Sequence, residues 1–451
     1  MKKEIRTNSL DLTQGSIIRG ILLFSGPLIV GNIFQQLYNT VDSVIAGNYI
    51  GKPALAAIGS SNSLINLIIG LFMGIATGAG VVIAQYYGAK NEEKMQWAVH
   101  TSIVLSLIGG IILTVVGVTL TPQILRWMVT PDSVMKEAVV YLRIFFLGSV
   151  FNITYNMGAG ILRGVGDSRR PLYYLCATSV ANIILDLIFV ICFQMGVAGA
   201  AIATIISQGI SSVLVIVTLM KDRDIYTLRI HKLRLDKRMT RRILVMGVPT
   251  GIQSAVISLS NVIVQAYINS FGQDAIAGSS SYMKIDGFIV LPIMSFGMAA
   301  MTFTGQNIGA GKLDRVKQGA VKTLLIGCGY CVIMSAVLLI FGRDALSIFS
   351  RDTAVIEYGY LMCKILAPFY VGITIAQVMG GVFRGAGKSM STMLIMIGSM
   401  VGVRILWIQI MTKVYFTLDT VLWGYPVSWF FATMGMAIYA WKGKWLVKQD
   451  R

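Results

Sequence analysis

The sequence predicts an all-α polytopic membrane protein of twelve transmembrane helices. They form two parallel six-helix bundles related by a pseudo-two-fold axis along the membrane normal. Three observations carry this expectation. First, the 451 residues are 55% hydrophobic and only 13% charged, with a mean hydropathy of +0.72, whereas a soluble domain is about 25% charged. Second, the apolar residues gather in blocks, many of them above the ~18 residues that mark a membrane-spanning helix. Third, the chain repeats itself at a constant shift of 221 residues.

Taken in order, the expected spans are 17–46, 55–86, 97–120, 136–162, 172–194 and 197–219, then 243–270, 276–308, 319–341, 355–383, 390–415 and 420–441. The first follows a polar stretch, Met1 to Ser16. It is too long for a signal-peptide core and no small-residue cleavage site is evident, so it is expected to be retained. Several spans exceed the length needed to cross a bilayer and should tilt, bend or project beyond it. Pro27, Pro249 and Pro292 are candidate bends, tolerated where neighbouring helices satisfy the freed backbone groups. Lys221 to Arg242, with nine Lys and Arg, separates six spans from six. The expected domains are therefore 1–220, a basic cytoplasmic linker at 221–242, and 243–451. The linker is read as solvated, with a surface-lying amphipathic segment as the alternative.

The net charge of +18 would suggest nucleic acid in a soluble protein, but here the basic residues sit in short loops. Only Lys52, Arg126, Lys136, Arg343, Arg351 and Lys413, of 38 Lys and Arg, fall in the loops on one side. The positive-inside rule places both termini in the cytoplasm of a cell membrane, and two basic ends independently require an even number of spans. Nucleic acid is not an expected partner; the lipid bilayer is. The five cysteines all lie in apolar segments, and the pair Cys328 and Cys331 lacks the second pair or histidine of a metal site.

The repeat brings Gln85-Tyr-Tyr-Gly-Ala-Lys90 onto Gln306-Asn-Ile-Gly-Ala-Gly311, and Arg163-Gly-Val-Gly-Asp-Ser168 onto Arg384-Gly-Ala-Gly-Lys-Ser389. Gly51 falls on Gly272, Arg143 on Lys364, and Pro27 on Pro249 with a slip of one. Each half has an even number of spans, so the halves are parallel repeats, an arrangement that argues for a transporter. The Arg-Gly-x-Gly turns, where glycine permits positive φ, are not phosphate loops: no strand precedes them and P-loop spacing is absent. Neither a channel filter nor the paired acids of a metal–diphosphate enzyme is visible, so no enzyme activity is expected.

Among the twenty acids, only Asp42, Asp186 and Asp286 lie well inside the spans. An acid in a bilayer core costs a few kcal/mol and persists where it faces a cavity or a partner. Asn182 stands four residues before Asp186 on one face of the fifth span. Asn152, Tyr155 and Asn156 lie on the fourth with Tyr141, and Gln35, Gln36 and Asn39 precede Asp42 on the first. The repeat places Val403 and Trp407 where the first half has Asn182 and Asp186, so the halves share architecture but differ in chemistry. The N-terminal bundle is the expected cation or proton site, and Gln35, Asn39, Asn152, Asp286 and Arg404 are candidate cavity residues. For the last two, a mutual ion pair is the simpler expectation. The Met and aromatic content permits adaptable walls for organic cations.

These residues resemble the multidrug and toxic compound extrusion (MATE) family. The resemblance rests on Tyr38-Asn-Thr-Val-Asp42, Arg163-Gly-Val-Gly-Asp-Ser-Arg-Arg-Pro171 and Gln306-Asn-Ile-Gly-Ala-Gly-Lys312, and covers nearly the whole chain. Asn182-Ile-Ile-Leu-Asp186 is similar to the motif of the DinF-like branch. The resemblance implies secondary antiport: H+ or Na+ moves in while an organic, often cationic, compound or drug moves out, with no other cofactor and a monomer sufficing. By position it assigns coupling to Asp42, Asn182, Asp186, Tyr141 and Asn156, with Asp42, Asp186 and Asn182 as the metal ligands if Na+ couples. Protonation of Asp42 would release its bonds to the fifth helix, bend the first near Pro27 and collapse the N-bundle cavity. The glutamate expected after Gly-x-Pro in other branches is replaced by Ile257-Ser258, which disfavours a C-bundle sodium site. A lipid-linked oligosaccharide flippase of the same superfamily is the alternative.

Overall fold

The computed structural model describes residues 9–45, 52–128, 130–222, 224–443 and 445–446. The helices are α1 (Ile17–Ile45), α2 (Lys52–Gly88), α3 (Glu92–Trp127), α4 (Asp132–Leu147), α5 (Ser149–Gly164), α6 (Arg169–Asp186) and α7 (Gly196–Lys221). After these come α8 (Lys237–Asn269), α9 (Gln273–Gly309), α10 (Leu313–Ser347), α11 (Thr353–Leu366), α12 (Tyr370–Gly385), α13 (Ser389–Ile397), α14 (Arg404–Val414) and α15 (Leu418–Trp441). Among the described residues there is no strand. Among the described residues, eleven helical stretches are long and apolar enough to cross a membrane, and twelve spans result when α4 and α5, bent by 48°, count as one.

The expected fourth, fifth, tenth and eleventh spans are each interrupted. The fourth breaks at Gly148 between α4 and α5, where an added Cβ would lie 2.5 Å from Ile205 Cγ1 on α7. The tenth breaks over Ala367–Phe369, a single 3-10 turn around Pro368, which has no N–H to give the helix. Gly148 plus 221 is Phe369, so the two breaks are repeat-related. The fifth and eleventh carry π turns, Leu187–Cys192 after α6 and Gly398–Val403 between α13 and α14.

The repeat is visible in backbone packing as well. A Cβ on Gly160 of α5 would lie 2.7 Å from the Ala76 carbonyl oxygen of α2, and one on Gly381 of α12 would overlap the Gly297 carbonyl of α9. Since 76 + 221 is 297 and 160 + 221 is 381, the same close crossing is built twice. The Arg-Gly-x-Gly turns also match, with φ of +92° at Gly166 and +81° at Gly387.

The chain divides into two compact units. Among the described residues, one holds 9–11 and 30–251, the other 12–29 and 252–446. Thus α1 and α8 each change unit part-way along, within three residues of Pro27 and Pro249, where a missing backbone N–H weakens the helix ladder. The first unit also carries the described residues of 221–242, which dock on α3 through a few buried side chains while most of their basic side chains stay exposed. Tyr226 and Leu228 are buried, Gln96 Nε2 donates to Ile225 O at 2.7 Å and His100 Nε2 accepts from Arg229 N–H at 3.1 Å. Arg170 joins Asp222 at 2.6 Å and also pairs with Asp167. The expectation of a solvated linker is thus supplemented by an anchor of buried aromatic and aliphatic residues.

Candidate functional site

In the first unit, Asn182 and Asp186 share one face of α6 and are 1% and 0% exposed. Asp186 is the last α-helical residue before the π turn, a feature common where side chains are re-aimed for function. Neither Oδ1 nor Nδ2 of Asn182 has a hydrogen-bond partner among the described residues. Above them, α6 is tied to its neighbours: Tyr155 OH donates to Pro171 O at 3.2 Å, and Ser211 Oγ on α7 donates to Thr178 Oγ1 at 2.9 Å.

The remaining first-unit candidates are distributed differently from the expectation of one fourth helix. Tyr141 is buried on α4, beyond the bend, while Asn152 and Asn156 lie on α5. Asn156 Nδ2 donates to Asn152 O at 2.9 Å and to Asn152 Oδ1 at 3.1 Å. Asn152 and Ser149 line a cavity of about 10 Å³ with apolar neighbours, room for one water and no organic molecule. Gln35 is exposed on α1. Asn39 and Asp42 lie further along α1, and their side chains fall outside the described residues.

In the second unit, Asp286 and Arg404 do not pair, contrary to expectation. Asp286 Oδ1 accepts from Tyr282 OH at 3.2 Å and from Tyr370 OH, and the two hydroxyls are 2.6 Å apart. Arg404, 2% exposed, donates through Nε and Nη2 to Ser428 Oγ at 3.3 and 3.2 Å, and through Nη1 to Asn261 Oδ1 at 3.0 Å. Its guanidinium lies 4.3 Å from the Tyr425 ring centroid, an attraction of ~2 kcal/mol when desolvated. Each charge has neutral partners enough, so neither needs the other. Tyr370 stacks on Trp429 at 5.9 Å and Trp429 meets Tyr425 at 6.0 Å, so an aromatic relay separates them. Among the described residues no group of three or more His, Cys, Asp or Glu could hold a metal.

The chain matches the MatE family over residues 27–188 and 249–408, one match in each half of the repeat. The chain belongs to the MatE family. MatE proteins are transport proteins, not enzymes, and this one is a multi-pass membrane protein. It is 30% identical to the probable multidrug resistance protein YoeA of Bacillus subtilis (strain 168) over 96% of both chains. It is 29% identical to the probable multidrug resistance protein YpnP of the same organism, over 85% of this chain and 86% of that one. Among solved structures, the outward-facing conformation of a multidrug resistance MATE family transporter of the MOP superfamily superposes with a TM-score of 0.90. That match has 24% identity over 98% of this chain and 99% of the other.

Sequence reasoning missed several polar partners in this MatE chain. Tyr282 was legible, four residues before Asp286 on the same helix face. Tyr370, Asn261 and Ser428 were not, because each meets its charge across a helix–helix contact and lies 84, 143 and 24 residues away from it.

Proposed function

We propose that this MatE chain is a secondary active antiporter that exports organic, often cationic, compounds in exchange for H+ or Na+ by alternating access. It is read as a DinF-like member, monomeric, in the cell membrane with both termini cytoplasmic. Coupling resides in the first unit, on Asp42 of α1 with Asn182 and Asp186 of α6, Asn156 of α5 and Tyr141 of α4. The relatives named for multidrug resistance support the substrate class.

The observation that carries the coupling site is the buried Asn182 amide beside Asp186. A buried amide without partners costs about 1–3 kcal/mol, so a binding event that supplies a proton donor or a cation is favourable there. The repeat supports the partnership with α1. In the second unit α8 reaches the eleventh span, the repeat of the fifth, through Asn261, which bonds Arg404, and Ser260, whose Oγ is 3.5 Å from Met400 O. Subtracting 221 gives Thr40 with Ile183 and Asn39 with Ser179, one turn from Asp42 and Asn182. Gly31 of α1 already sits against Leu172 and Leu175 of α6, and eleven residues further along two helices rising together bring position 42 level with 183–186.

A cation drives transport only if it binds one state more tightly than the other. Asp42, on the helix that changes unit near Pro27, supplies that difference by exchanging bonds to α6 for a proton or ion. The experiment is ethidium transport by proteoliposomes under separate H+ and Na+ gradients. Wild type is expected to transport, and Asp42→Asn and Asp186→Asn to lose gradient-driven flux by at least about tenfold, with Asn182→Ala intermediate. Full flux in Asp42→Asn would move coupling elsewhere, and no flux under either gradient would favour the flippase reading.

A further inference from the structure

The docked segment that follows α7 forms a cleft of about 720 Å³ against the start of α3. One wall carries Arg229, Lys232 and Arg234, the other Trp97. Among the described residues none of the three cations has a carboxylate within 4 Å, all ion pairs there being made by Arg170 and Arg343. Arg234 lies 4.7 Å from the Trp97 ring centroid, and the segment is held by Thr101, whose Oγ1 donates to Arg234 O at 3.4 Å and accepts from Asp236 N–H at 3.2 Å. The basic wall is therefore positioned, not trailing in solvent.

The cleft opens on a particular face of α3. Positions 97, 101, 104, 108, 111 and 115 recur at intervals of four, three, four, three and four, which is one stripe of an α-helix. Ile108, Ile111 and Val115 on that stripe are 41%, 56% and 57% exposed, as befits a surface turned to lipid tails. Going towards the start of α3, the docked segment covers Thr101 on this stripe, and Trp97 and the cleft lie beyond it. Ile230 and Leu235, which flank the basic residues, are also exposed, at 57% and 51%. Tryptophan at a membrane interface, bracketed by apolar and basic side chains, is the pattern of a headgroup layer. Glu92 and Glu93 also line the cleft. They sit in the first turn of α3, where the helix dipole favours acids, about 6 Å further from the membrane core than Trp97.

We infer that this cleft binds the phosphodiester headgroup of an anionic glycerophospholipid of the cytoplasmic leaflet, with the acyl chains lying along the exposed stripe of α3. Arg229 and Arg234 offer forked donors to phosphate oxygens and Lys232 a point charge. The site is separate from the antiport machinery and does not depend on which ion couples.

The test is native mass spectrometry of the full-length protein in non-ionic detergent, titrated with dioleoylphosphatidylglycerol or dioleoylphosphatidylcholine. Wild type is expected to hold one phosphatidylglycerol in preference to phosphatidylcholine. Each basic residue near a membrane surface contributes about fivefold, so Arg229→Gln/Lys232→Gln/Arg234→Gln should weaken that binding on the order of 100-fold, while Lys317→Gln in the other unit leaves it unchanged. In wild type the preference should also fall as salt is raised, a readout that needs no variant. Unchanged phosphatidylglycerol binding in the triple variant, equal binding of phosphatidylcholine, or glycerol phosphate binding as tightly as the lipid would each overturn the assignment, the last by making it a free-anion site.

Discussion

Asp286 and Arg404 are opposite charges inside the spans of one unit, and spacing alone suggests that they neutralise each other. The structure gives each a separate neutral shell instead, two tyrosine hydroxyls for the acid and Ser428, Asn261 and the Tyr425 ring for the base. A hydrogen bond to a charged group contributes about 1.5–3 kcal/mol. Tyr370→Phe is therefore expected to destabilise the second unit by about 2 kcal/mol, and Tyr282→Phe, at a longer reach, by about 1 kcal/mol. Thermal unfolding in detergent measures both. In an Asp286→Leu background the double substitution Tyr282→Phe/Tyr370→Phe, which also removes the 2.6 Å bond between the two hydroxyls, should cost less than it does in wild type; an undiminished penalty there would mean that the hydroxyls stabilise something other than the carboxylate. Of these residues, the buried charges and the i−4 tyrosine could be read from the sequence. The cross-helix partners could not, because hydropathy reports that a residue is inside the membrane but not which helix it faces.

At the scale of elements, the periodicity that identifies spans says little about where they break. The fourth span breaks at Gly148, where Ile205 of α7 leaves no room for a Cβ, whereas Pro368 breaks the tenth by its own chemistry. The small-residue crossings are similarly invisible until the repeat aligns them. Overpacking a close crossing costs about 1–3 kcal/mol, so Gly381→Ala and Gly160→Ala should both lower the unfolding temperature. Gly329 of α10 faces open space, and Gly329→Ala should instead stabilise by about 0.5–1 kcal/mol. Equal effects at the three positions would exclude backbone proximity as the cause.

The docked segment after α7 carries its own signature. Burial, and then the hydrogen bond from its hydroxyl to Asp222, raise the pKa of Tyr226 above the usual tyrosine value of 10.0. Because the folded value is the higher one, the associated stability is fully present below pH 10.0 and is lost as pH rises beyond it. Wild type should show a steeper alkaline loss of stability than Tyr226→Phe, read as unfolding temperature against pH. Parallel curves for the two proteins would mean that the hydroxyl does not couple to folding of this segment.

At the scale of the whole molecule, the duplication was legible because a constant offset survives in turn glycines and arginines even where the chemistry of the halves diverges. The division of α1 and α8 between units was not, since a continuous apolar helix carries no mark of which neighbours each half packs against; only Pro27 and Pro249 hint at the change. Orientation is different, because it is set by charge counted over short loops and needs no tertiary information. That reading puts Asp132 and Lys413 on the outer face and Lys237 and Lys317 on the cytoplasmic face, and all four side chains are exposed. Single cysteines at these positions, in a background with the five native cysteines replaced, should divide cleanly. A membrane-impermeant maleimide added to intact cells is expected to label positions 132 and 413 and to reach 237 and 317 only after permeabilisation. Labelling of 237 in intact cells would invert the topology, and with it the direction of the proposed coupling through Asp42.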